Sequence, residues 1–333
     1  MSQFSPLSFE EVLCELEAPA DTLILFHRGP DADAVGSAFA LKKLLTDLGS
    51  RAWCVSADEL PARLRFLTDG VQESVLVDSI PADFEVARIV SVDTASPAQL
   101  GSLWELYEGR IDMMIDHHGK GEPYAPYYIR SDAAATGEIM FDLVKQLATD
   151  GRVEITDALC TALYAAISSD TGGFRFSNVT PDTHLRAAEL TASGIDCALI
   201  NQKLFDTKTM EQLRAQAAGI SNLTTYADGR IAVITFPYAL KAALGLSDEH
   251  LESLVDVARS LADTRIAISI RQPGTEGIFR VSVRSSCDYD VSALCATFGG
   301  GGHEKAAGCT VTAPDMDAAV DKLMAAVDFL ELQ

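Results

Sequence analysis

Three histidines and four aspartates could do metal chemistry in this 333-residue chain: His27, Asp31, Asp33, Asp93, His117, His118 and Asp170. Each stands at or just past the end of an apolar run. Hard carboxylate oxygens mixed with imidazole nitrogens suit two divalent cations that activate water for hydrolysis. Ionisable groups set beside buried segments are costly unless something neutralises them, so the pattern needs a reason.

The string H-R-G-P-D-A-D-A-V-G-S runs from His27 to Ser37. Asp31 and Asp33 alternate, so in an extended loop their carboxylates diverge toward different metals. The Gly29-Pro30 turn lets His27 fold back toward Asp31. Gly36-Ser37 is expected in the first turn of a helix whose dipole favours anions. The plain alternative is a helix-capping aspartate with a solvent-facing histidine. Asp93 follows V-S-V and reads either as a turn residue or as a carboxylate bridging two cations. Asp116-His117-His118-Gly119 is more specific. Adjacent histidines point in different directions, so one can ligate metal while the other faces substrate. Asp116 can orient an imidazole from behind. Asp170 closes an apolar helix, where negative charge is misplaced unless a cation compensates. Arg175, in D-T-G-G-F-R-F, reads as a phosphate contact or as a surface partner of a carboxylate.

A second group of residues could hold an anion. Backbone N–H groups of Gly299, Gly300, Gly301 and Gly302 can approach it closely, His303 adds a donor, and Arg284 offers bidentate recognition. The bland alternative is a flexible turn.

The elements that must position these residues are of two kinds. Residues 23–26, 52–55, 74–77, 88–92 and 113–115 are short apolar runs without alternation, as in a parallel sheet buried on both faces. Helical periodicity covers 34–48, 136–149 and 156–169. The candidate ligands follow strands, where open α/β sheets bind ligands. After a helical stretch at 181–222 the texture changes. Hairpin signals occur at Asp228-Gly229 and across Pro273-Gly274-Thr275-Glu276, between 264–272 and 277–284. Helices are expected at 247–262, 291–296 and 315–332, with a strand at 309–311. The expected fold is α/β, with a mostly parallel N-terminal sheet flanked by helices. A helical linker joins it to a smaller α+β domain with a mostly antiparallel sheet. The boundaries expected are 1–190 for the metal-binding domain, 191–222 for the linker and 223–333 for the second domain.

Composition narrows the functions. With 26 basic against 48 acidic side chains the net charge is −22, which opposes duplex DNA but not a small phosphorylated ligand. No run suits a membrane span, and the N-terminus lacks an export signal. Seven scattered cysteines contain no C-x-x-C pair, as expected of free thiols in a cytoplasmic protein.

Taken in order, H-x-x-x-D-x-D, a strand-end Asp, D-H-H-G, and the Asp of D-T-G-G-F-R-F resemble the four motifs of the DHH phosphoesterase superfamily. The R-S-S…F-G-G-G-G-H-x-x-A-A-G segment resembles its associated C-terminal substrate-binding domain. That resemblance implies one metal on His27, Asp31 and Asp93, and another on Asp33, Asp93, His117 and Asp170. It places His118 on the substrate phosphate, with Arg284, the glycine run and His303 holding the rest. Mixed His and Asp ligation suits two Mn²⁺ better than Mg²⁺. The two-domain plan is similar to bifunctional oligoribonucleases and PAP phosphatases. It implies metal-activated hydroxide attack on phosphorus in very short RNAs, in pAp at its 3′-phosphate, and in pApA or cyclic di-AMP. A homodimer is left open. The alternatives are a non-catalytic nucleotide-binding protein, a structural metal protein, and a pyrophosphatase-like hydrolase.

Overall fold

The computed structural model describes residues 4–274 and 277–327. It contains two compact units, Met1–Thr207 and Lys208–Gln333.

The first unit is built on strands β1 (Thr22–Leu25), β2 (Ala52–Val55), β3 (Arg88–Val92), β4 (Met113–Asp116) and β5 (Tyr127–Ile129). All pair in parallel, in the order β2-β1-β3-β4-β5. Its helices are α1 (Phe9–Glu17), α2 (Ala32–Asp47), α3 (Pro97–Leu100), α4 (Ser102–Tyr107), α5 (Thr136–Thr149), α6 (Asp157–Asp170), α7 (Pro181–Thr191) and α8 (Cys197–Asn201). The strands lack alternation because both faces are buried. Ile24, Val90 and Val92 pack with α2, α5 and α6, whereas Leu23, Leu25 and Ile89 pack with α3 and α4. The chain leaves β1 for β2 on one side and reaches β3 on the other. This reversal of strand order opens a crevice at the carboxyl ends of β1 and β3, the usual ligand position in such sheets.

Helices α2 and α6 cross very closely. A Cβ at Gly36 would lie 2.4 Å from the Ala162 carbonyl oxygen and 3.0 Å from the Ala166 Cβ. Gly36 is therefore a packing residue in the second turn of α2, where an anion-binding first turn was expected. Gly36→Ala should force α2 and α6 apart, at about 1–3 kcal/mol for overpacking. A urea midpoint lowered to match would show it, and an unchanged midpoint would contradict the close approach.

Two expectations for this unit need correction. Residues 74–77 form no strand. Val75 is buried and its carbonyl accepts the Ser56 N–H, but the segment turns at once into a short 3-10 helix, Val77–Ser79. Strand β5, only half-buried, carried no apolar run to reveal it.

The second unit contains β6 (Leu223–Tyr226), β7 (Ile231–Phe236), β8 (Ile266–Arg271), β9 (Ile278–Ser285), β10 (Gly301–His303) and β11 (Ala306–Thr312). Its sheet order is β10-β11-β9-β8-β7-β6, antiparallel except for β7 with β8. Its helices are α9 (Met210–Ser221), α10 (Tyr238–Ala243), α11 (Leu254–Arg259), α12 (Val291–Ala296) and α13 (Met316–Ala326). The helix expected at 247–262 is broken into a 3-10 turn at Glu249–Leu251 and the short α11, which together bury Leu251, Leu254, Val255 and Ala258. Turn residues Thr275 and Glu276, and the end of the last helix, lie outside the described residues.

The segment 191–222 is not one separate linker. Ile200 of α8 joins the first unit's core and Ala215 of α9 the second's. Among the described residues no helix is long and apolar enough to cross a membrane.

Candidate metal centre

His27 lies just beyond β1. Its Nδ1–H donates to the Arg28 carbonyl at 2.9 Å, which leaves Nε2 as the lone-pair nitrogen. That Nε2 stands 3.6 Å from Asp31 Oδ1 and 3.6 Å from Asp93 Oδ2. Asp31 is also the N-cap of α2, its Oδ1 accepting the Ala34 N–H at 3.0 Å. The capping and ligand readings are thus compatible.

Asp93 follows β3 in the left-handed region, with φ 52°. Asp tolerates this conformation better than most residues. Its N–H is held by the Ile115 carbonyl, and its Oδ1 accepts the Thr136 hydroxyl at 2.9 Å. Asp33, in the first turn of α2, is fully buried. It accepts the N–H groups of Thr136 at 2.7 Å and Gly137 at 2.8 Å, both from the start of α5, and the Ser37 hydroxyl at 3.0 Å.

The D-H-H turn ends β4. His117 Nδ1–H donates to the Ala133 carbonyl at 3.3 Å. Its Nε2 then faces Asp170 Oδ2 at 3.2 Å, Asp93 Oδ1 at 3.8 Å and Asp33 Oδ2 at 3.9 Å. Asp116 Oδ1 accepts the His117 N–H at 2.8 Å and lies 2.7 Å from His118 Nδ1. Asp116 therefore sets the tautomer of His118. Asp170 is the last residue of α6, at the negative end of the helix dipole.

Ligand atoms of His27, Asp31 and Asp93 lie within 4.8 Å of one another, as do those of Asp33, Asp93 and His117. Asp93 belongs to both sets. Two ligands each about 2.1 Å from an ion stand ~3–4 Å apart, which is the spacing seen here. Paired carboxylates opposite imidazoles whose other nitrogen is already occupied are a donor set that fits two divalent cations.

The electrostatics point the same way. Burial pushes Asp33 well above the usual carboxylate range, and Asp93 and Asp170 push it further. Burial, with the charges of Asp31 and Asp93, pushes Asp170 up to about 6 although His117 opposes this. Burial would also raise Asp93, but His27, His118 and His117 outweigh it and hold Asp93 low. Burial works against charge on His27 and His117, yet the facing aspartates hold both well above the ordinary imidazole value.

Thr136 escaped the motif reading. Its N–H and hydroxyl bind Asp33 and Asp93 at once, and the only local sign was a Thr-Gly opening a helix. Thr136→Val should lower kcat/KM by roughly 10-fold, in the range for removing a hydrogen bond that orients a ligand, and Thr136→Ser should restore most of it. Steady-state kinetics with Mn²⁺ decide this; equal activity in the Val variant would deny the role.

Arg175 is exposed. It donates from Nε to the Gly172 carbonyl and lies 5.7 Å over the Phe205 ring, so in this structure it clasps its own loop.

In the second unit, Ala306 of β11 is opposite both Arg284 of β9 and His303 of β10. Directly opposed residues share a face, so Arg284 and His303 lie on one side of the sheet, two strand spacings or roughly 10 Å apart. The glycine run is not purely an open nest, because Gly301, Gly302 and His303 form β10. A Cβ at Gly300 would meet the Gly308 carbonyl oxygen at 2.2 Å, and one at Gly302 the Ala306 carbonyl oxygen at 2.5 Å. These two glycines are needed for the approach to β11, and Gly301 faces open space.

Comparison with known proteins agrees with this architecture. Residues 21–167 match the N-terminal domain of the DHH family, and residues 235–328 match the DHHA1 domain. The chain is 30% identical over 318 residues to the bifunctional oligoribonuclease and PAP phosphatase NrnA of Thermus thermophilus, covering 95% of this chain and 91% of the relative. It is 24% identical to NrnA of Bacillus subtilis, covering 93% and 95% of the two chains. The match to the cyclic-di-AMP phosphodiesterase GdpP of Geobacillus thermodenitrificans, 27% identical, covers 87% of this chain and 45% of that protein. A solved exopolyphosphatase-related protein from Bacteroides fragilis shares the fold, with TM-score 0.84, 22% identity, and 95% and 94% of the chains covered. With both domains matched in order and a full-length relative at this identity, the chain belongs to the DHH family.

Proposed function

We propose that this chain is a metal-dependent phosphodiesterase and phosphatase acting on short nucleotide substrates. These are oligoribonucleotides of a few residues, pApA or cyclic di-AMP, and the 3′-phosphate of pAp. The observation that carries the reading is the sharing of Asp93 between two imidazole–carboxylate nests. The names of the relatives, which are nucleotide phosphodiesterases and phosphatases, support it independently.

His27, Asp31 and Asp93 would hold one divalent cation, and Asp33, Asp93, His117 and Asp170 a second. Imidazole in both sets favours Mn²⁺. The ions supply charge that acidifies water and polarises phosphoryl oxygens. The protein's own residues do the rest. Asp33 and Asp93 are fixed by the start of α5, so the donor set is pre-organised. In its imidazolium form, with Nδ1–H held by Asp116, His118 can donate from Nε2 to a phosphoryl oxygen, stabilising its developing charge. The more exposed side chains, Asp31, Asp170, His118 and His27, mark the side by which substrate enters. Arg284 and His303 are the proposed nucleotide-binding residues of the second unit.

The deciding experiment is a panel of pAp, pApA, cyclic di-AMP and RNAs of two to five nucleotides, incubated with Mn²⁺ and read by chromatography. Turnover of at least one is expected. Binding without turnover of any would favour a non-catalytic nucleotide-binding protein. Arg284→Ala should raise KM for the nucleotide severalfold and change bis-p-nitrophenyl phosphate hydrolysis little. An equal loss on both would remove Arg284 from nucleotide binding.

A further inference from the structure

The second unit carries a groove that starts at Gly299 and Gly300 of the glycine run and extends to residues outside the motifs, Arg271 and Arg280. Along β9, Phe279, Val281 and Val283 point into the core, so Arg280, Ser282 and Arg284 lie on the opposite face. Pairing places Arg271 of β8 directly opposite Arg280, and Ser282 opposite both Ser269 of β8 and Gly308 of β11. Next to them is a cavity of about 390 Å³ lined by Arg271, Arg280, Ser282, Phe298, Gly300 and Thr310 among others. That is the size of a small-ligand site rather than of a crevice for one water.

Its charge is out of keeping with the rest of the chain. Like charges directly opposed across a strand pair destabilise a sheet, and this chain carries a net −22. Two arginines nevertheless face each other here. Asp248 is shared among three cations. Its carboxylate is bound by the Lys241 ammonium and lies 3.9 Å from Arg280 Nη1, and its backbone carbonyl accepts from Arg271 Nη1 at 3.4 Å. Burial, with the charges of Arg280 and Arg284, leaves Arg271 below its usual pKa although Glu252 and Asp248 oppose this. Arg271 Nε and the fully buried Ser269 Oγ have no hydrogen-bond partner among the described residues. Gly300 and Gly308 contribute no side chain, so the backbone can be approached closely.

We propose that this groove is an anion site of the second unit that takes a phosphate group of a nucleotide on Arg271 and Arg280. Arg271 supplies a largely desolvated guanidinium whose Nη1 and Nη2 make only long hydrogen bonds, to the Asp248 carbonyl at 3.4 Å and Ser282 Oγ at 3.5 Å, and whose Nε has no partner; Arg280 supplies a second cation at the rim. A phosphate removes the repulsion between the two guanidinium groups. Phe298, which packs on the core and lines the groove, offers apolar surface to the nucleoside. The choice of a nucleotide rests on the phosphoesterase reading above, whereas the anion site stands on the groove itself and needs no metal.

The test uses the full chain stripped of metal with EDTA, titrated calorimetrically with pAp at low salt, with adenosine in parallel. The wild type should bind pAp and not adenosine at the same concentrations. Arg271→Ala with Arg280→Ala should weaken pAp binding at least 10-fold. Arg280→Glu alone, at a mostly exposed position, should weaken it by a similar factor and keeps the test valid if the double variant fails to fold. Unchanged affinity in Arg280→Glu, adenosine binding as tight as pAp, or no pAp binding without metal would each overturn the proposal. Turnover of the panel with Mn²⁺ is measured separately. If turnover persists while the titration fails, this site alone is refuted; if turnover is absent, the phosphoesterase reading fails whatever the titration shows.

Discussion

Asp93→Asn should lower kcat/KM with Mn²⁺ by about 10³-fold or more, the largest loss of any single substitution in the chain. In the proposed assignment Asp93 would hold both cations, so its loss would affect charge stabilisation at each, on the order of 4 kcal/mol in the transition state. Asn is the right replacement. It keeps the size of Asp and tolerates the left-handed φ of 52°, so the backbone beyond β3 need not move. Asp31→Asn is the control. Its side chain is 44% exposed, it faces His27 alone among the imidazoles, and Asn caps a helix as well as Asp does. A loss of roughly 10–100-fold is expected there with unchanged stability, the scale set by disturbing one ligand's environment. If Asp93→Asn retained a tenth of the activity, or lost no more than Asp31→Asn, the centre would not be organised around Asp93.

That ranking depends on features of unequal legibility. His27, Asp31, Asp93, the D-H-H turn and Asp170 were visible in sequence because each interrupts an apolar run just where a buried strand or helix ends. Strand β3 and helix α5 begin and end at the expected residues for the same reason. Strand order was not visible. Nothing in the spacing of the five apolar runs says that β1 lies between β2 and β3, yet that order puts His27 and Asp93 in one crevice. Contacts between distant residues were equally hidden. Thr136 looked like any helix start, and Gly36 like part of an anion-binding turn, until α5 and α6 were in place. The glycine run misled in the opposite direction. Glycine is needed both where a ligand approaches and where a strand approaches, and at Gly300 and Gly302 it is the strand β11 that comes close. Arg175 had two plausible partners in sequence, and in the fold its Nε donates to the Gly172 carbonyl of its own loop.

Metal binding should stabilise the first unit strongly, since the buried donor set without a cation works against the fold. Asp33, Asp93 and Asp116 are almost wholly buried, and Asp170 is pushed up to about 6 by burial and its neighbours. A ligand that binds only the folded state at 100 times its Kd adds about 2.7 kcal/mol. For a unit of this size that is a rise in Tm of roughly 5–10 °C. Mn²⁺ added to EDTA-treated protein should therefore raise the first melting transition by that amount, and excess EDTA should reverse it. Mg²⁺ at the same concentration should give a smaller shift, because imidazole suits it less. Asp170→Asn separates ligation from packing. Its carboxylate faces His117 Nε2 at 3.2 Å at the end of a helix that disfavours negative charge. Removing that charge should leave the metal-free Tm unchanged or higher while cutting the Mn²⁺ shift by half or more. Asp33→Asn would not serve, because both Asp33 oxygens accept backbone N–H groups and an amide must misplace one of them. If the Asp170→Asn protein gained as much from Mn²⁺ as the wild type, Asp170 would not be a ligand, and the second nest would reduce to Asp33, Asp93 and His117.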